Sequence, residues 1–382
     1  MIEHRKHRPA ILMLISTGSF DTDDRLRKEC NSVREHLGDV SVVGFENRAP
    51  EGRQGEIAKG VPFVALPHVT KKRLPAGRGL AFKALETLLR LLPRIVRQRP
   101  DVLWVHDPAF WPVVWVSLAL RRLGIINKVV WDLHELIPDS RLRGPARRMI
   151  LGCLQNVDVL VMTNTWRYQH MQETLPFVPR HLMILENYPD ASVSVEDRND
   201  LPNELEKWLE GRDFILGQGA VGADRNFASL REAVERSGIP IVLLGRCEAG
   251  LDPRLFYCTG WVPQAEVYRY INRALFSVVL YSRNDPNAWY CSPNRLFQAI
   301  ARGCPVLGGI NPPIKAVLEE TGAGVVLSDD GANVEELIKA ISGLKGSLSI
   351  YQTRAALFRN KYVWENDFAG IAQDLKSILC ER

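Results

Sequence analysis

The stretch Tyr188-Pro189-Asp190-Ala191-Ser192-Val193-Ser194-Val195-Glu196-Asp197-Arg198-Asn199-Asp200-Leu201-Pro202-Asn203 is polar and aperiodic, and it separates two runs of one pattern. A polar segment with prolines between periodic stretches reads as a linker. Before it, apolar runs of strand length at 11–15, 40–44, 102–105, 128–131, 157–162 and 182–185 alternate with helical patterns such as 24–37 and 80–98. After it the alternation resumes, with runs at 214–216, 241–244, 256–258, 276–280, 305–307 and 324–327. Continuous β-branched runs are the mark of strands covered on both faces, so parallel sheets are expected. Two such β/α series in succession predict two doubly wound domains with a cleft between them.

A length of 382 residues, 46% hydrophobic and 24% charged, suits two globular domains and excludes disorder, collagen and coiled coil. The longest apolar run, 110–120, contains Pro112 and Ser117 and stops at Arg121-Arg122, short of the ~18 residues that span a bilayer. The basic start, 1–9, is followed by an apolar segment of only 10–15, which reads as a strand rather than a signal peptide. A cytoplasmic location follows as the expectation. The 7 cysteines are scattered with no C-x-x-C pair, so reduced thiols are expected, with neither a disulfide framework nor a zinc site. Charge is uneven: 1–190 hold 28 Lys+Arg against 20 Asp+Glu, and 71–99 hold nine basic residues against Glu86 alone.

Ligands of open parallel sheets bind beyond the carboxyl ends of the strands, so the residues there matter most. In Tyr290-Cys291-Ser292-Pro293-Asn294-Arg295-Leu296-Phe297-Gln298-Ala299-Ile300-Ala301-Arg302-Gly303, Ser292 fits an N-cap, Pro293 the first helical position and Gly303 the left-handed residue past the end. Its N-terminal N–H groups suit a phosphate, although a purely structural helix carries the same signals. Gly217-Gln218-Gly219 followed by Arg225-Asn226 allows backbone to approach a ligand, with Arg225 to pair with phosphate oxygens. In the first half, Val105-His106-Asp107-Pro108 and Trp131-Asp132-Leu133-His134-Glu135 end two strands with titratable residues. These types can ligate metal, but no H-x-x-x-H or H-x-H spacing supports it, and no metal is expected.

With these segments in place, the chain resembles the retaining nucleotide-sugar glycosyltransferases of family 4, which have the GT-B fold of two facing Rossmann-like domains. Ser292-Pro293-Asn294-Arg295-Leu296-Phe297 with Ala301-Arg302-Gly303-Cys304-Pro305-Val306 is similar to the S-P-N-K-L-F-E signature of one subgroup. Gly260-Trp261-Val262-Pro263 and the stretch to Tyr281, Glu320-Thr321-Gly322-Ala323-Gly324 and Trp364-Glu365 resemble further family segments. So do Asp24-Arg25-Leu26-Arg27-Lys28-Glu29, Asp132-Leu133-His134-Glu135 and Asn187-Tyr188-Pro189-Asp190 in the first half. Three positions depart from the pattern: Tyr290 and Gln298 stand where many members carry glutamates, and Asn226 where a glycine is usual.

The resemblance implies an acceptor-binding domain at 1–190, a nucleotide-sugar-binding domain at 191–365, and a final helix, 366–382, packing back on the first. It implies a UDP- or GDP-sugar donor, with no tightly bound cofactor. The donor would be held by Gly219, Arg225, Gly245, Trp261, Val262, Tyr281, Ser292, Pro293, Asn294, Arg295, Leu296 and Gln298, the last on the ribose. His134 and Asp107 would be the catalytic residues facing the sugar. The implied reaction is transfer with retention to a glycan or lipid-linked acceptor, in cell-surface polysaccharide, lipopolysaccharide or glycolipid synthesis. The alternatives are a catalytically silent nucleotide-sugar-binding subunit and a sugar-nucleotide epimerase. The basic segment 71–99 adds a membrane reading, with Lys71-Lys72-Arg73-Leu74-Pro75 as an exposed loop. Behind it, Leu85, Leu88, Leu89, Leu92 and Val96 lie at helical spacing, either packed in the core or dipping into an anionic leaflet at the inner face of the cell membrane. No nucleic-acid motif is present.

Overall fold

Ile11 to Ile15 form the buried middle of strand β1 (Ala10–Thr17), the central strand of the first of two sheets. The structure is a computed structural model and describes residues 8–47, 52–74, 78–191, 199–219, 222 and 225–380. Residues 192–198 of the expected linker, and Pro75 of the basic loop, lie outside the described residues. The chain divides into a first unit, Met1–Leu185 with Phe368–Arg382, and a second unit, Glu186–Asp367.

In the first unit β1 is joined by β2 (Asp39–Glu46), β3 (Gln54–Ala58), β4 (Val61–Leu66), β5 (Val102–His106), β6 (Lys128–Leu133), β7 (Val159–Met162) and β8 (Leu182–Ile184). The order is β3-β4-β2-β1-β5-β6-β7-β8, and every neighbouring pair is parallel except β3 with β4. The antiparallel hairpin β3–β4 lies at the edge of an otherwise parallel sheet, as expected for the core of the unit. Its strands escape a hydrophobic reading because Gln54, Gly55 and Glu56 are exposed, while Pro62 interrupts the next run. Lys59 and Gly60 separate them, with Gly60 at φ +70°.

The second unit holds β9 (Ile215–Gln218), β10 (Ile241–Leu244), β11 (Phe256–Gly260), β12 (Ser277–Val279), β13 (Val306–Gly308) and β14 (Gly324–Val326). Their order is β11-β10-β9-β12-β13-β14, all parallel. Both sheets therefore have a switch point, β1/β5 in the first and β9/β12 in the second, where successive crossovers leave in opposite directions. The family-like segments Asn187–Asp190 and Trp364-Glu365 meet in the second unit: Trp364 N–H donates to Pro189 O (2.9 Å) and Ala191 N–H to Glu365 (2.9 Å).

Three expectations are corrected. The helix after Tyr290 is Asn294–Ala301, with Pro293 in extended backbone at its N-cap and no side-chain cap, so it starts later and is shorter than the Ser292 signal suggested. Gly303 does take the left-handed conformation, φ +70°. Lys71 to Arg73 lie in a helical turn, Val69–Arg73, rather than a loop, because Glu86 accepts from Val69 N–H, Thr70 N–H and Thr70 Oγ1 and pins it. Cys247 and Cys258 form a disulfide. Their spacing of 11 gives no signal, since parallel strands β10 and β11 bring them together through a crossover rather than a local turn.

Candidate functional site

At the second unit's switch point, the carboxyl ends of β9 and β12 present Gln218-Gly219 and Tyr281. Gly219 has φ +90°, so the backbone here favours glycine, and a Cβ, which would lie 2.3 Å from Arg225 Nη1, would displace that guanidinium. Arg225 Nη1 donates to Gln218 O (2.9 Å), and Arg295 Nη1, from the first turn of the 294–301 helix, donates to the same carbonyl. Both guanidinium groups lie over the Tyr281 ring, at 5.6 Å and 4.6 Å from its centroid. Arg295 is 8% exposed, and among the described residues its Nε and Nη2 are buried without a hydrogen bond, as is Gln218 Nε2. A cavity of about 30 Å³ beneath them is lined by Gly217, Gln218, Gly219, Arg225, Arg295 and apolar side chains. Two cations converging on one carbonyl are chemically ready for an anion with several oxygens.

The other residues expected at the donor site fare differently. Ser292 is buried and Pro293 and Asn294 open the helix beside Arg295. Leu296 is wholly buried in the core, and its N–H donates to Pro293 O (3.0 Å). Gln298 is buried. Gly245 bridges to Gly260 at the ends of β10 and β11, where Val262 packs on the core and Trp261 is exposed. Asn226 takes φ +48°, a conformation that asparagine tolerates nearly as well as glycine, and its amide donates to Asp330 O (2.8 Å). The departure from glycine there is thus a local structural exchange.

In the first unit the structure gathers more than the sequence reading named. His106 ends β5 and His134 follows β6, and His106 Nδ1 lies 3.2 Å from His134 Nε2. Glu29 and Arg25 come from the helix Asp24–His36, and Asp132 from β6. His134 Nε2 lies 3.2 Å from Asp132 Oδ2 and 3.6 Å from Glu29 Oε2, while Arg25 Nη2 lies 3.6 Å from Asp132 Oδ1. Glu29, His106 and Asp132 are fully buried, and only His134 reaches solvent, its side chain 21% exposed. Burial, then the charge of Asp132, pushes the Glu29 carboxyl up. Burial opposes charge on His134, but Asp132 and Glu29 outweigh it and hold its pKa up at about 9. Burial, then His134, drives His106 down to about 3. The missed signal was in helix 24–36, which turns Arg25, Lys28 and Glu29 inward; charged residues on the buried face of an amphipathic helix have a task beyond packing.

Asp107 sits next to this cluster with φ +79°, an uncommon conformation for a residue with a side chain, and strain of this kind gathers at functional sites. Its Oδ1 accepts from Ala109 N–H (2.9 Å), capping a short 3₁₀ turn, and its carbonyl accepts from Trp131 Nε1 (3.2 Å). Asp107 lines a cavity of about 600 Å³ whose walls combine Leu80, Phe110, Trp111 and other apolar groups with His68, Lys71, Lys83 and Arg141. Burial lowers the Lys71 pKa, against the pull of Asp107, and its Nζ donates to Ser16 Oγ (3.2 Å).

On the helix Leu80–Gln98 beside this cavity, Leu85, Leu89 and Val96 of the expected stripe do not pack in the core. The helix packs through Thr87, Leu91 and Ile95, while Phe82, Leu85, Leu89 and Val96 are exposed, as is Trp115 on the neighbouring helix Trp111–Arg122. Among the described residues no helix is long and apolar enough to cross a membrane.

Residues 225–366 match the family described as "Glycosyl transferase-like". No curated protein matches the sequence. Three similar solved structures are instructive. The sucrose-phosphate synthase of Thermosynechococcus elongatus is 13% identical with a TM-score of 0.74, over 98% of this chain and 100% of its own. An α,α-trehalose-phosphate synthase (UDP-forming) of Burkholderia xenovorans, in complex with glucose-6-phosphate, is 14% identical with a TM-score of 0.70, over 96% and 100%. Anabaena Alr3699/HepE, in complex with UDP and glucose, is 13% identical with a TM-score of 0.69, over 97% and 100%. The fold is thus that of the GT-B glycosyltransferases. Within it, the second unit carries a glycosyltransferase-like domain.

Proposed function

We propose that this chain is a retaining glycosyltransferase of the family 4 type, which takes a UDP- or GDP-sugar as donor. The observation that carries the reading is the pair Arg225 and Arg295, stacked on Tyr281 beneath Gly219 at the second sheet's switch point. Breaking the anomeric C–O bond of a nucleotide sugar builds charge on the departing diphosphate, and two fixed cations in a low-dielectric site stabilise that charge. The Gln218 carbonyl holds both guanidinium groups, so a diphosphate would meet donors that are already gathered. Ser292, Asn294 and the 294–301 helix start would add backbone N–H groups, with Pro293, which has none, fixing the extended turn before the helix. Gln298 would serve the ribose, and Gly245, Trp261 and Val262 the base. The Anabaena structure, solved with UDP and glucose, gives a precedent for a UDP-sugar donor. His134 and Asp107 are assigned to the sugar, because His134 alone of its cluster is open to solvent and Asp107 holds a strained backbone beside a cavity.

That cavity is assigned to the acceptor. Lys71, Lys83 and Arg141 among apolar walls suit an anionic group carried on an apolar body, such as a lipid-linked phosphate. The Burkholderia relative, solved with glucose-6-phosphate, gives a precedent for a phosphorylated acceptor. The exposed Phe82, Leu85, Leu89 and Val96, next in sequence to Lys71, Lys72 and Arg73, would let the unit work at an anionic membrane surface, as cell-surface polysaccharide or glycolipid synthesis requires.

The deciding experiment incubates the chain with radiolabelled UDP- and GDP-sugars and a lipid extract of the source cells. Transfer that disappears in His134→Ala while nucleotide binding persists supports the assignment. Saturable binding of a nucleotide sugar with no transfer to any acceptor would instead make the chain a silent binding subunit. A His134→Ala variant with normal turnover would remove His134 from the mechanism.

A further inference from the structure

We propose that Glu29, His106, Asp132 and His134 form a divalent transition-metal site, best suited to Zn²⁺. Their donor atoms all lie within 4.8 Å of one another. The separations are 3.2 Å for His106 Nδ1 to His134 Nε2 and for His134 Nε2 to Asp132 Oδ2, and 3.6 Å for His134 Nε2 to Glu29 Oε2. His106 Nδ1 lies 3.7 Å from Asp132 Oδ2 and 3.8 Å from Glu29 Oε2. A tetrahedron of ligands with bonds of about 2.0–2.1 Å has edges of about 3.3–3.4 Å, within the spread seen, whereas octahedral edges would be about 2.9 Å. Two imidazole nitrogens and two carboxylate oxygens select a zinc-like ion over Mg²⁺ or Ca²⁺, which take oxygen ligands.

A second observation points the same way. The four carboxylate oxygens of the fully buried Glu29 and Asp132 accept no well-aligned hydrogen bond among the described residues, the nearest imidazole nitrogen being His134 Nε2 at 3.2 Å from Asp132 Oδ2. Buried carboxylates left in this state are costly, and a cation at their centre would answer both at once. With both imidazoles neutral, the donor set carries two negative charges and balances a divalent ion. Arg25, 3.6 Å from Asp132 Oδ1, would orient that carboxylate from outside, and Arg167 Nη1 donates to the His134 carbonyl and steadies its backbone. The ion would take one oxygen from each carboxylate, so Glu29 Oε1, Asp132 Oδ1 and His106 Nε2, all buried without a hydrogen bond among the described residues, would stand outside the ligand set. Because His134 would be a ligand through Nε2, the site would set which ring edge this residue offers to solvent.

The inference stands apart from sugar transfer, since ion binding is read without any donor or acceptor. The test uses the full-length chain without an affinity tag, stripped with chelator and titrated with Co²⁺. The expected result is one Co²⁺ per chain, with the intense visible absorption of a tetrahedral ion, no sulfur-to-metal charge-transfer band, and displacement by Zn²⁺. Glu29→Gln, which keeps the side chain's shape, and His106→Ala should each weaken binding about 100-fold or more, with circular dichroism reporting that they fold. His36→Ala should leave the spectrum intact. A wild-type chain that takes up no stoichiometric Co²⁺ overturns the proposal, as does a tetrahedral spectrum that survives both ligand variants. The wild-type titration decides the matter even if the variants fail to fold.

Discussion

Arg295→Met separates two consequences of burying an arginine. Arg295 is 8% exposed, with Nε and Nη2 unbonded among the described residues. Its compensation is the Tyr281 ring, at about 0.5–2 kcal/mol, and the bond to Gln218 O, at about 1.5–3 kcal/mol. Desolvating the charge costs several kcal/mol, so the two sides nearly cancel. Methionine is similar in length, apolar and adaptable, and should leave the ligand-free fold as stable or up to about 1 kcal/mol more stable, a rise of roughly 2–4 °C in Tm. A nucleoside diphosphate would lose a charge-assisted contact of about 1.5–3 kcal/mol, or roughly 10- to 150-fold in Kd. Calorimetric titration with UDP and GDP, beside uridine and guanosine, and thermal unfolding without ligand measure both effects. The expected outcome is weaker diphosphate binding, unchanged nucleoside binding and no loss of stability. Equal weakening of nucleoside and diphosphate would refute the phosphate assignment, and a Tm lowered by several degrees would make Arg295 a structural residue.

Gly219→Ala should destabilise the protein by about 1–3 kcal/mol in urea unfolding, from its left-handed backbone and the clash with Arg225, and should weaken UDP binding as that arginine is displaced. Arg225→Ala should weaken nucleoside diphosphate binding by about 1.5–3 kcal/mol, and an unchanged affinity would remove it from the site. The denatured, unreduced chain should titrate as five thiols, those of Cys30, Cys153, Cys291, Cys304 and Cys380, and a value of seven would dispose of the Cys247–Cys258 bridge. Vesicles of anionic lipid should retain the wild-type chain at low salt and release it at high salt, while Phe82→Ser with Leu89→Ser should abolish retention without changing UDP affinity.

What the sequence discloses depends on whether a property is local. Runs such as Val102 to Val105 are apolar on both faces and announce buried parallel strands, and Gly303 announces the end of a helix. Gln54 to Glu56 face solvent at a sheet edge, so nothing in their hydropathy marks them as a strand. On helix 80–98 the apolar residues occupy more than one face, and periodicity alone does not say which face the core covers; Leu91 and Ile95 were covered and Leu85 and Leu89 were not. The site residues divide in the same way. Arg225 and Arg295 were visible as a basic residue after a glycine loop and a basic residue at a helix start, but their convergence on Tyr281 is a product of the β9/β12 crossover. The partnership of Glu29 with Asp132, about a hundred residues on, leaves no trace in spacing.

The helix Trp364–Cys380 starts in the second unit and, from Phe368, belongs to the first. Its Phe368 and Leu375 are buried, and the Phe368 ring stacks on His36 at 5.8 Å. The first unit is therefore complete only when the final helix has been synthesised, although nearly all of it is made first. At about 5–20 residues per second the ribosome needs roughly 10–40 s to deliver that helix after Leu185. During that interval the surface destined for Phe368 and Leu375 stands uncovered on a nascent chain. A gene cut after Leu185 would make that exposure permanent, so separate expression of the first unit calls for the closing helix to be grafted directly behind β8.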